Sequence, residues 1–360
     1  MNYRLATILA REAVSGDKTK VIDLNLVDPV SQMQVIYEST GAGSGPPVAL
    51  AAACVTKIEL VDGSDVLYML DGYGAQAVDF YHRKKEPPNL NVYLSGFQAQ
   101  MVFNMNYGRY LWDPILAFDP RKYKNPQLKI SIDVDAGGQG ASAGFLTVLA
   151  NIFDEKIVSP TGFLMQKEIK EYNLGSSTNE PTLMPTDYPI RKLFIKSLVP
   201  GTGPEACFAN IKLSEDNDKK IPYNNTIADV LRMIVGQGPI YHENQEQTIG
   251  GSGGYIYHTP AYYPMINANN CVGENVAYTL TVYGGEGGRG YVYAEGSVSN
   301  MQISIVGYCP HGAIEIPFGL QDEIDDWYDV TKLGSLKLDI LSGSGRSEAC
   351  QIMVQQHRAY

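Results

Sequence analysis

One pattern of strand, acidic turn and helix occurs twice in this chain at constant spacing, and it constrains the fold more than any other feature. Ile58 and Leu60 alternate with Lys57 and Glu59 and run into an acidic turn ending at Asp65. Ile211 and Leu213 alternate around Lys212 and run into an acidic turn ending at Asp218. From Ile58 to Ile211, Leu60 to Leu213 and Asp65 to Asp218 the offset is 153 each time. Carried forward, it lays Ala75 on Ala228 and Val78 on Leu231, each inside a stretch with helical spacing. The stronger helix has Ile227, Val230, Leu231 and Ile234 at i, i+3, i+4 and i+7. Thr226 with Asp229 forms its capping box and Gly236 its stop. The weaker helix covers about 73–83.

A second match follows. Phe118-Asp119 before a strand from Leu128 resembles Tyr328-Asp329 before a strand from Leu336, now about 208 to 210 residues apart. The second half has therefore gained roughly fifty-five residues, which fall in the Gly-, Tyr- and Asn-rich stretch 238–297. Each half also holds one of the two tryptophans, Trp112 and Trp327. Duplication of one domain explains this order.

The duplicated unit is β-rich. Leu128, Ile130, Ile132 and Val134 alternate with polar residues, as do Leu336, Leu338 and Ile340, which is period-two patterning with one wet face. Segments 33–39, 55–61, 92–104, 145–153, 191–198, 208–214, 276–283, 291–295 and 301–308 read as further strands. The chain has 36 Gly, 20 Pro and 24 Tyr, so turns are frequent and pleated surfaces well supplied. The expected fold class is all-β. Residues 1–20 read as an N-terminal arm, 21–165 as the first domain and 166–188 as a linker. Residues 189–360 read as the second domain, with a loop insertion at about 238–297. The arm is apolar only from Leu5 to Ala10, too short for a signal peptide or a membrane span. An amphipathic arm docking on a neighbour and an ordinary first helix both fit it.

The net charge of −11 argues against wrapping nucleic acid, because neutralising phosphates needs clustered cations. The densest basic run, Arg83-Lys84-Lys85, reads as a surface turn before Pro87-Pro88. Five cysteines (Cys54, Cys207, Cys271, Cys309 and Cys350) are scattered without a C-x-x-C, which disfavours a disulfide framework or a zinc site. Synthesis in a reducing cytoplasm is expected.

Motifs with chemical meaning lack their settings. Gly285, Gly287 and Gly290 satisfy G-x-G-x-x-G, but strand-like Tyr291-Val292-Tyr293 follows where a dinucleotide site needs a helix. Gly250-Gly251-Ser252-Gly253-Gly254 matches G-x-S-x-G in a Gly-rich loop, without the strand and helix of a nucleophile elbow. His82, His242, His258, His311 and His357 form no metal-binding pair in sequence, His311 after Cys309-Pro310 being the one to inspect. Asp133 with Asp135, and Glu215 with Asp216 and Asp218, read as solvated turns. No catalytic, cofactor-binding or metal residue is assigned, and no cofactor is expected.

Several phrases resemble a known family. They are Val55-Thr56-Lys57-Ile58-Glu59-Leu60-Val61-Asp62-Gly63-Ser64-Asp65-Val66-Leu67 and Tyr123-Lys124-Asn125-Pro126-Gln127-Leu128-Lys129-Ile130 in the first half. In the second half they are Tyr188-Pro189-Ile190-Arg191-Lys192-Leu193, Asn210-Ile211-Lys212-Leu213-Ser214-Glu215-Asp216-Asn217-Asp218 and Trp327-Tyr328-Asp329-Val330-Thr331-Lys332-Leu333-Gly334. Together they resemble the double jelly-roll major capsid proteins of tailless icosahedral, often membrane-containing viruses, the bacteriophage members above all. The likeness spans about residues 20 to 360, and the N-terminal segment carries no matching phrase. It implies two tandem eight-stranded jelly rolls and no enzymatic activity. It also implies a homotrimer with a pseudo-hexagonal footprint, located in the virion. The partners implied are neighbouring capsomers, penton and minor capsid proteins and an internal viral membrane. The alternatives are a tandem β-sandwich that binds or cleaves glycans, with Tyr255, Tyr257, Tyr262 and Tyr263 as a sugar platform, and a metal-dependent bicupin-type enzyme.

Overall fold

A computed structural model describes residues 3–40, 46–154, 158–249, 253–270, 280–294 and 300–360. The first half contains β1 (Arg4–Ser15), β2 (Lys18–Asp23), β3 (Val30–Thr40), β4 (Val55–Asp62), β5 (Asp65–Leu70) and helix α1 (Gly72–Arg83). It continues with β6 (Asn91–Tyr93), β7 (Gln98–Asn106), β8 (Pro126–Ile132) and β9 (Ala143–Ile152). The second half begins with β10 (Gly162–Asn173), β11 (Asn179–Met184), β12 (Ile190–Lys196), the short α2 (Pro204–Cys207), β13 (Phe208–Glu215), β14 (Lys220–Thr226) and α3 (Ile227–Gln237). After α3 come β15 (Tyr241–Thr248), β16 (Gly254–Tyr257), β17 (Pro260–Asn270), β18 (Leu280–Gly284), β19 (Arg289–Ala294) and β20 (Asn300–Pro310). The chain closes with β21 (Ala313–Pro317), β22 (Leu336–Ser342) and β23 (Ala349–Ala359).

Two sheet orders repeat. In the first half, β1-β9-β3-β7 faces β2-β8-β4-β5; in the second, β10-β23-β12-β21 faces β11-β22-β13-β14. Numbering each half from its first strand, these are the same two Greek-key sheets, with a helix after the fifth strand both times. Each half is a jelly roll, in which two sheets close over one core. The halves also share a sheet. Strand β5 pairs with β10 in parallel, Tyr68 opposite Gln166 and Met69 opposite Lys167, so four strands of each half make one eight-stranded sheet.

The repeat seen in the sequence sits at matching register. Ile58 pairs with Ile130 and Leu60 with Leu128; Ile211 pairs with Ile340 and Leu213 with Leu338. The helices do not keep the offset of 153. The cap of α1 is Asp71 and that of α3 is Thr226, an offset of 155. The turn between β13 and β14 is two residues longer than that between β4 and β5, and Asp216, Asn217 and Asp218 all take positive φ to close it. Ala75 therefore corresponds to Val230, and Val78 to Met233. Ala228, expected on the apolar face, is exposed. Thr226 does accept from the Asp229 N–H at 3.3 Å, while α3 runs one residue past the expected stop at Gly236.

Other expectations need correction. The N-terminal segment is neither arm nor helix but β1, the first strand of the first jelly roll, paired with β9. Register shifts between Thr7 and Leu9 and between Leu9 and Glu12 break the alternation that would have marked it as a strand. The stretch 166–188 is not a linker. Most of β10 and all of β11 lie in it, and Ser176-Ser177-Thr178 is only the turn between them. Pro181 is tolerated because β11 is an edge strand. The insertion read as a loop is largely strand. β15, β17 and β20 form a sheet with β6; β16, β19 and β18 form a three-stranded sheet; and the two share a core that includes Ile256, Val292 and Ile303. Its residues 250–252, 271–279 and 295–297 lie outside the described residues.

Ile130 in β8 and Ile340 in β22 are fully buried at matching positions. Ile130→Ala and Ile340→Ala should each cost about 2–5 kcal/mol, since the vacated volume cannot collapse completely. Chemical denaturation checks this, and a loss under about 1 kcal/mol at either position would contradict the paired cores.

Candidate assembly interface

A dense set of buried ionisable side chains lies at the joint between the two jelly rolls. Helix α1 fills that joint, and ten of its twelve residues are buried. It packs on the first jelly roll with one side and on the outer face of β12, β21 and β23 with the other. Phe194, Ala313 and Met353 from that outer face join the first hydrophobic core.

Many polar groups buried here are paired, although His311 Nδ1 is not. Asp79, whose side chain is inaccessible, accepts from Arg83 at 2.6 and 2.5 Å, from Asn104 at 2.8 Å and from Asn106 at 2.7 Å. The amides extend across the back of the first four-stranded sheet. Gln32 donates to Asn106 at 2.7 Å, Gln34 to Asn104 at 2.9 Å, and Asn151 to Gln32 at 3.1 Å. Toward the second jelly roll, Tyr81 donates to the Ala313 carbonyl at 2.9 Å and Lys192 to the Tyr81 carbonyl at 2.8 Å. Lys192 also pairs with Glu315, and Lys196 with the capping residue Asp71 at 2.5 Å. At the lower rim Arg358 of β23 makes a two-pronged pair with Asp65 of β5.

Two of the five histidines belong to this joint. His82 accepts from Arg191 at 2.9 Å, and Arg191 also donates to Gln355 at 2.8 Å. Burial, reinforced by the Arg191 charge, holds the His82 imidazole well below its usual range. Burial also lowers Arg191 to about 10. His311, at positive φ in the turn before β21, lies against Tyr73 with ring centroids 4.4 Å apart and shares a 3.0 Å hydrogen bond with Gln76. Burial depresses it strongly too. His258 is buried elsewhere and pushed down to about 4, His242 is exposed, and His357 lies over Trp327. These perturbations come from desolvation in a packed joint.

The remaining sequence candidates fall apart in space or serve as turn braces. Glu215 accepts from Tyr328 at 2.6 Å, Asp216 from the Ser335 N–H at 2.9 Å, and Asp218 pairs with Lys212 at 2.8 Å. Asp133 and Asp135 meet Asp17 at the surface, the one group of three among the described residues with metal-ligand spacing. Gly287 is needed because a Cβ would lie 1.9 Å from the Val199 carbonyl, and the segment leads into β19, not a helix. Gly250, Gly251, Ser252 and Cys271 lie outside the described residues. Tyr255 packs on Tyr291 and Tyr262 on Tyr263, two separate pairs and not one platform. Trp112, half-buried against Phe153, and Trp327, buried under Arg191, both lie outside the two main cores.

Sequence reading missed this joint. Arg191, Lys192 and Lys196 suggest a wet strand face, yet all seven residues of β12 are buried. The one readable hint was Asp79 four residues before Arg83 on a helix.

Asp79→Ala should cost about 3–5 kcal/mol, because it strands Arg83 and two amides in a dry site. Thermal denaturation tests this. The depressed histidines give a pH signature as well. Below about pH 6.5 the unfolded chain binds protons that folded His82 and His311 refuse, so stability falls as the pH drops through that value. The melting temperature should decline from pH 6.5 to 5, and more shallowly for the double variant His82→Gln, His311→Gln.

No protein-family model matches the chain, and no curated protein matches it by sequence. Solved structures do. The major capsid protein of bacteriophage PM2 aligns over 99% of this chain and 98% of its own, with a TM-score of 0.58 and 10% identity. A chain of Sulfolobus Turreted Icosahedral Virus aligns over 99% and 90%, with a TM-score of 0.60 and 10% identity. The PBCV-1 virus capsid aligns over 99% and 94%, with a TM-score of 0.55 and 9% identity. The fold of this chain, two tandem jelly rolls with β-rich insertions, is thus the fold of these viral capsid proteins from end to end.

Proposed function

We propose that this chain is the major capsid protein of an icosahedral virus, a structural subunit without enzymatic activity. One observation carries the reading: the likeness covers both jelly rolls and almost the whole length of each capsid protein. The physics supports it. A shared eight-stranded sheet and a buried helix weld two sandwiches into a stiff block with broad lateral faces. Three such chains give six jelly rolls around one axis, a pseudo-hexagonal tile that packs on an icosahedral surface. The partners are neighbouring capsomers, penton and minor capsid proteins, with an internal membrane beneath the shell. The four described cysteines are buried and unpaired, which suits synthesis in a reducing host cytoplasm before the subunit enters the virion.

Light scattering on the purified protein at low and high salt tests this. The expected species has three times the chain mass of 39.5 kDa, about 118 kDa, and electron microscopy should show shells or hexagonal tiles. A monomer at every concentration and salt would refute the proposal.

A further inference from the structure

We propose that Lys196 and Asp71, an ion pair joining the second jelly roll to the first, condense to an amide, so that the folded chain carries an internal covalent bond between its two domains. The inference goes beyond the capsid reading and does not depend on it.

The pair has the placement such a bond needs. Asp71 caps helix α1, and Lys196 is the last residue of β12, so the partners come from different jelly rolls, 125 residues apart in the chain. Lys196 Nζ donates to Asp71 Oδ2 at 2.5 Å. The lysine side chain is 7% accessible and the aspartate side chain 25%. The other carboxylate oxygen, Oδ1, accepts from the Gly74 N–H at 2.7 Å, at the N-terminal end of α1. The two oxygens of Asp71 are therefore distinguished. One is held by a backbone donor at the positive end of a helix, and the other faces the amine. Tyr73, whose ring lies 5.8 Å from Nζ and stacks on His311, covers the lysine.

A second acid completes the group. β5 and β10 run parallel with Met69 opposite Lys167, which carries Glu168 alongside Leu70, one residue before Asp71. Across the sheet Glu168 is opposite Met353, and Met353 is opposite Phe194, two residues before Lys196. Glu168, Met353, Phe194 and Lys196 thus share the face that meets α1. Burial, with the charges of Glu171 and Asp71, raises the Glu168 carboxyl above its usual range, so it takes up a proton more readily.

The reaction balances within the chain. Lys196 Nζ adds to Cγ of Asp71, charge gathers on Oδ1 opposite the Gly74 N–H, and the Cγ–Oδ2 bond breaks. The ammonium brings three protons, of which the amide keeps one and two leave with Oδ2 as water. One passes along the Nζ–Oδ2 contact, and Glu168 carries the other from nitrogen to the leaving oxygen. No oxidant or further reactant is consumed. The fold supplies the proximity that a condensation in water lacks, and the product removes two charges from a poorly solvated site. Oδ1, now an amide oxygen, still caps α1. The step occurs once per chain, on the chain itself.

Intact-mass spectrometry of the full chain tests this. The expected mass is that of the sequence less one water, and a tryptic digest should contain one branched peptide, uncleaved at Lys196 and joined there to Asp71. Lys196→Arg keeps the charge without the amine, and Asp71→Ser keeps the helix cap without the carboxyl. Each should show the full sequence mass, with far-ultraviolet spectra confirming that the variants are folded. In freshly translated protein, Glu168→Gln should slow the loss of water more than about tenfold. A folded, unsubstituted chain that keeps its full mass on prolonged incubation overturns the inference. A water lost equally from Lys196→Arg overturns it too, by placing the dehydration elsewhere, and an unchanged rate in Glu168→Gln removes that residue from the reaction. Light scattering on the same sample judges the capsid reading separately.

Discussion

Asp79 and its four hydrogen-bond donors sit where the first jelly roll, helix α1 and the amide ladder meet, and the two-barrel architecture depends on that point. A carboxylate shielded from water is tolerable only when its charge and lone pairs are satisfied, so its surroundings admit one arrangement. Arg83 supplies the charge from the same helix, while Asn104 and Asn106 fix the helix on β7. With α1 held, Tyr81, His82 and the carbonyl of Tyr81 are presented to β12 and β21 as fixed polar anchors. Lys192 and Arg191 answer them, and Lys196 pairs with the capping residue Asp71. The second jelly roll is thereby oriented by directional contacts as well as by apolar burial, and the parallel pairing of β5 with β10 follows.

How much of this was legible depended on whether one face of an element meets water. Strands such as β4, β8, β13 and β22 have one wet face, and their period-two alternation revealed both the all-β class and the duplication. Elements buried on both sides lose that contrast. Strand β12 carries three cations and no exposed residue, because its charges face another part of the protein. β10 changes its surroundings along its length, with Phe163 and Met165 in the first core and Ile169 against the second, so no single period describes it. β1 was hidden by its bulges. The insertion looked like a loop because Gly and Asn dominate it, although its tyrosines favour pleated surfaces. The offset of 153 was correct for the strands and failed for the helices because a longer turn intervenes.

The titratable groups in the joint would attract notice in an enzyme, since perturbed ionisation clusters at functional sites. Here His82, His311, Arg191 and Lys192 are shifted mainly by desolvation, and each has its partners within one packed layer. Their arrangement orients two bodies against each other. Perturbation identifies a place where charge has been moved out of water, and packing geometry decides whether the purpose is chemistry or alignment.

Exposed strand edges carry the converse problem. An edge open to any partner invites indiscriminate pairing, and soluble β proteins blunt their edges. β14 reads Lys-Ile-Pro-Tyr-Asn-Asn-Thr, with a proline that lacks a donor and polar residues on both faces. β1 is irregular and carries charged Arg11 and Glu12, Arg11 reaching across β9 to Glu38 of β3. Neither edge offers the long, flat, apolar template that drives aggregation, yet each adjoins a broad surface with apolar components. A lone strand therefore gains little from either edge.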